Sequence, residues 1–261
     1  MSDILAFTAF HDIVADVQHH AEVNESVHDY ISLFRREETF SNTRLGDILK
    51  VVSTPLSIHD DLTDPREMIQ DVLKTGRSLI KNGDGNVTML TATDILSFLA
   101  ESLDSDSFQH LDVSSLGRHV HPISSLKDLN TADIMSFEAL LIPDNTQTLL
   151  AFRLLHYTHA SNIGLASFTG TLVDYLSSSD LKGLTLERLE DLLLPVHEYL
   201  ELVRRYTKRR EMVCVPPSIS IKECIDICRE AHRVWIKSEN EYCLLTQSDL
   251  LEYLLSQTKE A

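Results

Sequence analysis

The chain has 261 residues, 43% hydrophobic and 24% charged, the ordinary balance of a globular protein of one or two domains. Against 23 Lys and Arg stand 40 Asp and Glu, a formal net charge of −17. That balance argues against a nucleic-acid binder and against a protein held on an anionic membrane, since both need clustered cations.

In chain order, Ile4 to Phe7 reads as a strand, and Ala9-Phe10-His11-Asp12 leads into an amphipathic helix to about His20. Met1 to Phe7 lacks the basic start and long apolar stretch of a secretory signal. No apolar run anywhere approaches the roughly 18 residues of a membrane span. An extended Leu56-Ser57-Ile58 precedes a helix from Pro65 to Leu73 and a strand at Ser78-Leu79-Ile80. Asn82-Gly83-Asp84-Gly85 has neither the spacing of a P-loop nor that of a dinucleotide fingerprint. It reads as a hairpin turn, because Asn-Gly and Asp-Gly supply the positive φ that such turns need. A strand at Val87 to Leu90 follows, and Thr91-Ala92-Thr93-Asp94 opens a helix from Ile95 to Glu101.

The Ser- and Asp-rich stretch from Ser102 to Asp133 reads as a surface connection with short helices. Beyond it the same order returns. Ala139-Leu140-Leu141-Ile142 is extended, Thr146 to His156 helical, Asn162 to Ala166 a strand, Ser167-Phe168-Thr169-Gly170 a turn and Leu172 to Leu176 a strand. Ser177-Ser178-Ser179-Asp180 then opens the last helix. A basic run, Arg204-Arg205 with Lys208-Arg209-Arg210, stands out in so acidic a chain. It is either a helix face leading into the next copy or a docking site for an acidic partner or a phosphate.

The final copy has an extended Val213-Cys214-Val215, a helix from Ile221 to Arg229 and a strand Arg233-Val234-Trp235-Ile236. A polar turn and the strand Tyr242 to Leu245 follow, and Thr246-Gln247-Ser248-Asp249 opens a helix from Leu250 to Ser256. The repeating unit is therefore strand, helix, strand, strand, helix, and the fold class is α/β. Cys214, Cys224, Cys228 and Cys243 form no disulfide framework; they read as small hydrophobes in a reducing compartment. Cys224, Cys228 and His232 are four residues apart, but the helix ends before His232 and no fourth ligand is evident, so no metal is expected. The twelve histidines are expected to be mostly solvated.

This repeat resembles CBS domains. The second strand followed by Thr/Ser-x-x-Asp is the most telling piece, present as Thr91…Asp94, Ser177…Asp180 and Thr246…Asp249, with Ala9…Asp12 lacking the hydroxyl. Ala231-His232-Arg233-Val234-Trp235 is similar to a strand of the γ regulatory subunit of the AMP-activated protein kinase and its fungal and plant relatives. Ser177 to Gly183, with Leu192-Leu193-Leu194-Pro195-Val196, resembles the third module of the fungal and plant proteins. The resemblance implies tandem modules at 1–22 (incomplete at its front), 50–105, 135–190 and 205–261. It further implies two Bateman-type pairs, about 1–105 and 135–261, packed as a flattened disc.

It also implies a bound adenine nucleotide (AMP, ADP or ATP) in the cleft of a pair. The aspartate would accept from both ribose hydroxyls, Thr or Ser would contact ribose or phosphate, and His and Arg would hold the phosphate. Carried over, these are Thr91, Asp94 and Arg77 in the second copy, where Gly76 replaces the His. In the third they are Ser177 and Asp180, with Ala160-Ser161 offering no cation. In the fourth they are His232, Arg233, Thr246 and Asp249. The favoured pocket joins copies three and four through Asp180, Asp249, His232 and Arg233. Read locally, the same Thr/Ser-x-x-Asp pattern is a helix cap, and both readings stand. The expected function is a non-enzymatic, nucleotide-sensing regulatory subunit in the cytoplasm, with the nucleus as a second compartment. Its partners would be the catalytic and scaffold subunits of a protein kinase, or a phosphatase, with a second copy of the chain as another partner. The alternative is a ligand-free scaffold.

Overall fold

The computed structural model describes residues 57–60, 62–102, 116, 118–122, 139–158, 160, 162–182, 184–208, 211–238 and 241–257. In chain order they form β1 (Ile58–Asp60), α1 (Pro65–Thr75), β2 (Arg77–Lys81), β3 (Val87–Thr91), α2 (Ala92–Ser102) and β4 (Arg118–Pro122). Then come β5 (Ala139–Pro143), α3 (Thr148–Tyr157), β6 (Asn162–Ala166), β7 (Leu172–Ser177) and α4 (Val196–Tyr206). The last elements are β8 (Cys214–Val215), α5 (Ile221–Ala231), β9 (Arg233–Ser238), β10 (Glu241–Thr246) and α6 (Gln247–Gln257). The fragment expected at 1–22, with Asp12, lies outside the described residues, as do most of the linker, Ser161, Arg209 and Arg210.

The strand pairings repeat. β1 runs parallel to β2, which pairs antiparallel with β3. The same holds for β5, β6 and β7, and for β8, β9 and β10. Each copy is a parallel crossover through a helix followed by a hairpin. Local chemistry sets the boundaries. Asp64 accepts from the Arg66 amide at 2.9 Å to start α1, with Pro65 at the first helical position. Gly76, at φ 80°, ends it by donating to the Val72 carbonyl. The expected hairpin turn at 82–85 is formed: the Asn82 amide donates to Asn86 and the Gly85 amide to Asn82, both at 2.8 Å. The turn at 167–170 closes in the same way. Ser220 and Glu223 cap α5 reciprocally.

The third copy departs from expectation at its end. Ser177 to Asp180 opens only a short 3-10 turn (Ser178–Leu181), not a helix. Lys182 turns extended at φ −63°, ψ 129°, and a second 3-10 stretch (Leu186–Leu193) follows. The long helix α4 starts only after Pro195, which cannot sit inside a helix. Helix α3 likewise starts at Thr148 rather than Thr146. Gln147 bridges to Pro195, and the amide and hydroxyl of Thr148 both donate to the Leu194 carbonyl.

The described residues form two compact units that do not follow the sequence halves. One lies within Val120–Arg210. Its core is formed by Leu140, Ile142, Phe152, Ile163, Leu165, Leu176, Tyr199 and Leu200 among others. The other joins Thr54–His119 with Glu211–Ala261, so copy two packs with copy four. Its single core mixes Val72, Ile95 and Leu96 with Ile221, Ile225, Val234, Ile236, Leu245 and Leu250. The resemblance implied a grouping of 135–261; the compact units instead group copy two with copy four. The boundary falls inside β4: Arg118 pairs with Leu244 of β10 in one unit, and Val120 with Ala139 of β5 in the other. Among the described residues, no helix is long and apolar enough to cross a membrane.

Candidate functional site

At each strand-to-helix junction one carboxylate oxygen gathers two donors. Oδ2 of Asp94 accepts from the Thr91 amide at 2.9 Å and the Thr91 hydroxyl at 2.6 Å. Oδ2 of Asp180 accepts from the Ser177 amide at 2.7 Å and hydroxyl at 3.0 Å. Oδ2 of Asp249 accepts from the Thr246 amide at 2.8 Å and hydroxyl at 2.7 Å. The capping arrangement that the sequence allowed is thus formed in all three copies; in copies two and four it opens an α-helix, worth about 1 kcal/mol, and in copy three only a 3-10 turn. The arrangement uses Oδ2 in each copy.

The surroundings of the three aspartates differ. Asp94 is exposed, and among the described residues its Oδ1 has no hydrogen-bond partner. Asp249 is 8% exposed, and its Oδ1 accepts from Nε of Arg118 at 3.1 Å. Asp180 is 3% exposed, and its carbonyl accepts from the buried Tyr199 hydroxyl at 2.8 Å. Burial holds the Tyr199 phenol well above its ordinary pKa, so it stays a donor.

Strand register places the cations. Arg77 lies directly opposite Thr91, and Arg233 directly opposite Thr246. The residue opposite Ser177 is Asn162. The third copy's cation position is therefore Asn162 rather than Ser161, one residue later than the sequence alignment put it, and it carries a buried amide. His232 sits just past α5 at φ 64°, in the place Gly76 fills in copy two, and its amide donates to the Cys228 carbonyl at 2.9 Å. The alignment of Gly76-Arg77 with His232-Arg233 is thus structurally sound.

Of the residues expected to share one pocket, Asp180 falls in one compact unit and Asp249, His232 and Arg233 in the other. Within that second unit the junctions of copies two and four adjoin instead. The Gln247 side-chain amide, next to Thr246, donates to the Thr93 hydroxyl at 3.0 Å and to the Cys228 carbonyl at 2.7 Å. Arg229 of α5 adds a bond from Nε to the Ser97 hydroxyl of α2 at 3.1 Å. Two helix starts, two aspartates and three arginines (Arg77, Arg118 and Arg233) therefore belong to one unit.

Sequence reasoning missed Arg118. It lay in a stretch read as a surface connection, although Arg118-His119-Val120-His121 has the alternation of a strand. The cysteines sit as expected for small hydrophobes in three of four positions: Cys224, Cys228 and Cys243 are buried free thiols and Cys214 is exposed. Burial pushes the thiols of Cys224 and Cys228 up to about 12, and both pack into the apolar core. Arg204 of the basic run is tied to Asp174, and Arg188 lies 4.0 Å over the Tyr206 ring.

No protein-family model and no curated protein matches the chain. Solved structures do. A protein from Methanocaldococcus jannaschii, described as "a putative archaeal homolog of g-AMPK", matches with a TM-score of 0.54 at 15% identity. That match covers 84% of this chain and 75% of the other. An uncharacterized conserved protein from Pyrococcus horikoshii matches with a TM-score of 0.52, also at 15% identity, covering 79% and 82%. At this identity the likeness is one of fold, the mixed α/β fold of these archaeal proteins.

Proposed function

We propose that this chain is a non-catalytic regulatory subunit that binds an adenine nucleotide in the unit built from copies two and four. A protein kinase complex, through its catalytic and scaffold subunits, or a phosphatase, would read the bound state. The observation that carries this reading is the adjacency, in one unit, of two Thr-x-x-Asp junctions, each with an arginine directly across the strand pair. Such a set offers carboxylate acceptors for ribose and guanidinium donors for phosphate, the two polar ends of a nucleotide. The likeness of fold to a protein described as "a putative archaeal homolog of g-AMPK" supports the same reading. Binding would act by favouring one arrangement of the repeats over another. A ligand-free scaffold is the second reading, favoured by the fact that all three aspartates already serve as caps.

Isothermal titration of the purified chain with AMP, ADP and ATP, after removal of any carried-over nucleotide, separates the two. Saturable micromolar binding is expected. Arg77→Ala and Asp94→Asn alter exposed side chains and leave the core intact, and each is expected to weaken binding by about tenfold, the worth of one charge-assisted hydrogen bond. Absence of binding in nucleotide-free protein would leave the scaffold.

A further inference from the structure

We infer that Arg118 decides whether the copy-four junction can take a ligand's vicinal diol, and that the copy-two junction has no such gate among the described residues. The inference rests on the nucleotide reading above and adds which site is available and what closes the other. It follows from counting acceptor positions. A carboxylate has about four lone-pair sites, two on each oxygen. In both copies Oδ2 is filled by an amide and a hydroxyl from the same threonine. For Asp94 both positions on Oδ1 remain without a partner among the described residues, so two vicinal hydroxyls can be accepted at once. For Asp249 one position on Oδ1 is taken by Arg118, which leaves room for a single hydroxyl. A diol can engage Asp249 fully only if Arg118 lets go.

Arg118 is suited to letting go. Its side chain is 43% exposed while that of Asp249 is 7% exposed, so the cation can return to water and the carboxylate cannot. It holds Asp249 through Nε, and among the described residues its two terminal nitrogens make no hydrogen bond. It lies outside the repeats, on β4, which the chain follows from one unit into the other. The two junctions, alike in sequence, would then differ in kind: one accepts the diol without rearrangement, the other only when the Arg118 side chain lets go.

The test uses the full chain, titrated with AMP and with 2′-deoxy-AMP, which lacks one hydroxyl of the diol. In the wild type, one tight site is expected to prefer AMP over the deoxy ligand by about tenfold, the loss of one hydrogen bond to a carboxylate. Asp94→Asn is expected to abolish that preference. Adding Arg118→Gln to Asp94→Asn should restore a site that discriminates the two ligands about tenfold. The gate is overturned if Asp94→Asn alone keeps such a site, a result that stands even if the double variant fails to fold. It is equally overturned if the folded double variant, checked by circular dichroism, gains none. Loss of all binding in the wild type would overturn the nucleotide reading and the gate together. Binding with the wrong dependence on Arg118 would overturn the gate alone.

Discussion

His232 is the one non-glycine residue with positive φ among the described residues, and the equivalent position in copy two is glycine. A left-handed backbone costs a side-chain-bearing residue about 1 kcal/mol relative to glycine. The repeat shows that glycine fits there, so the imidazole is carried at a cost in stability. His232→Gly is expected to raise the melting temperature by about 2–4 °C. It should also weaken nucleotide binding. A variant that is both more stable and unchanged in affinity would show that the ring has no part in the site. The residue scale is also where sequence was most legible. Thr91 with Asp94, Ser177 with Asp180 and Thr246 with Asp249 are contacts within one turn, so spacing alone locates them. Arg118 reaches Asp249 across 131 residues, and no local pattern announces such a contact.

At the scale of elements, turns and caps were readable because each depends on a few neighbouring residues. The hairpins at Gly85 and Gly170 need positive φ, and glycine supplies it at φ 82° and 79°. What misled was the end of copy three, where a cap-like start is not followed by a helix. The cap is real, but Lys182 turns extended directly after it. Helix α5 gives a clean test of capping. The Ser220 amide and hydroxyl both donate to the Glu223 carboxylate, which holds it below the usual carboxylate range. A depressed native pKa means the stabilisation is full above the unfolded-state value, near the ordinary 4.5, and is lost as pH falls through the lower folded value. Melting curves between pH 7 and pH 3 should therefore show wild type and Glu223→Gln converging at the acid end. Ser220→Ala, which removes the cap itself, should cost about 1 kcal/mol at neutral pH. A constant gap between wild type and Glu223→Gln across the whole range would contradict the pairing.

At the scale of the molecule, the pairing of copies is what sequence could not supply. Copies two and four share one core because Val72, Ile95 and Leu96 meet Ile221, Ile225 and Leu250, and any apolar helix face would have served as a partner on pattern alone. The arrangement predicts a long-range effect. Leu96→Ala, at a fully buried position on α2, should cost about 2–5 kcal/mol. Amide exchange should then accelerate in α5 and α6, more than a hundred residues away, while α3 and β6 keep their protection. Acceleration confined to residues 57–102 would mean that the second unit is not one cooperative body.

The chain has one tryptophan, and it lies on β9, two residues beyond Arg233. Trp235 is fully buried in the second unit, and its indole nitrogen makes no hydrogen bond among the described residues. Nature has thereby placed a single optical reporter in only one of the two bodies. Tryptophan emission follows the unfolding of copies two and four alone, whereas circular dichroism averages both. Superimposable denaturation curves from the two signals would mean that the units melt together. Separated curves would give each its own midpoint without a label being attached.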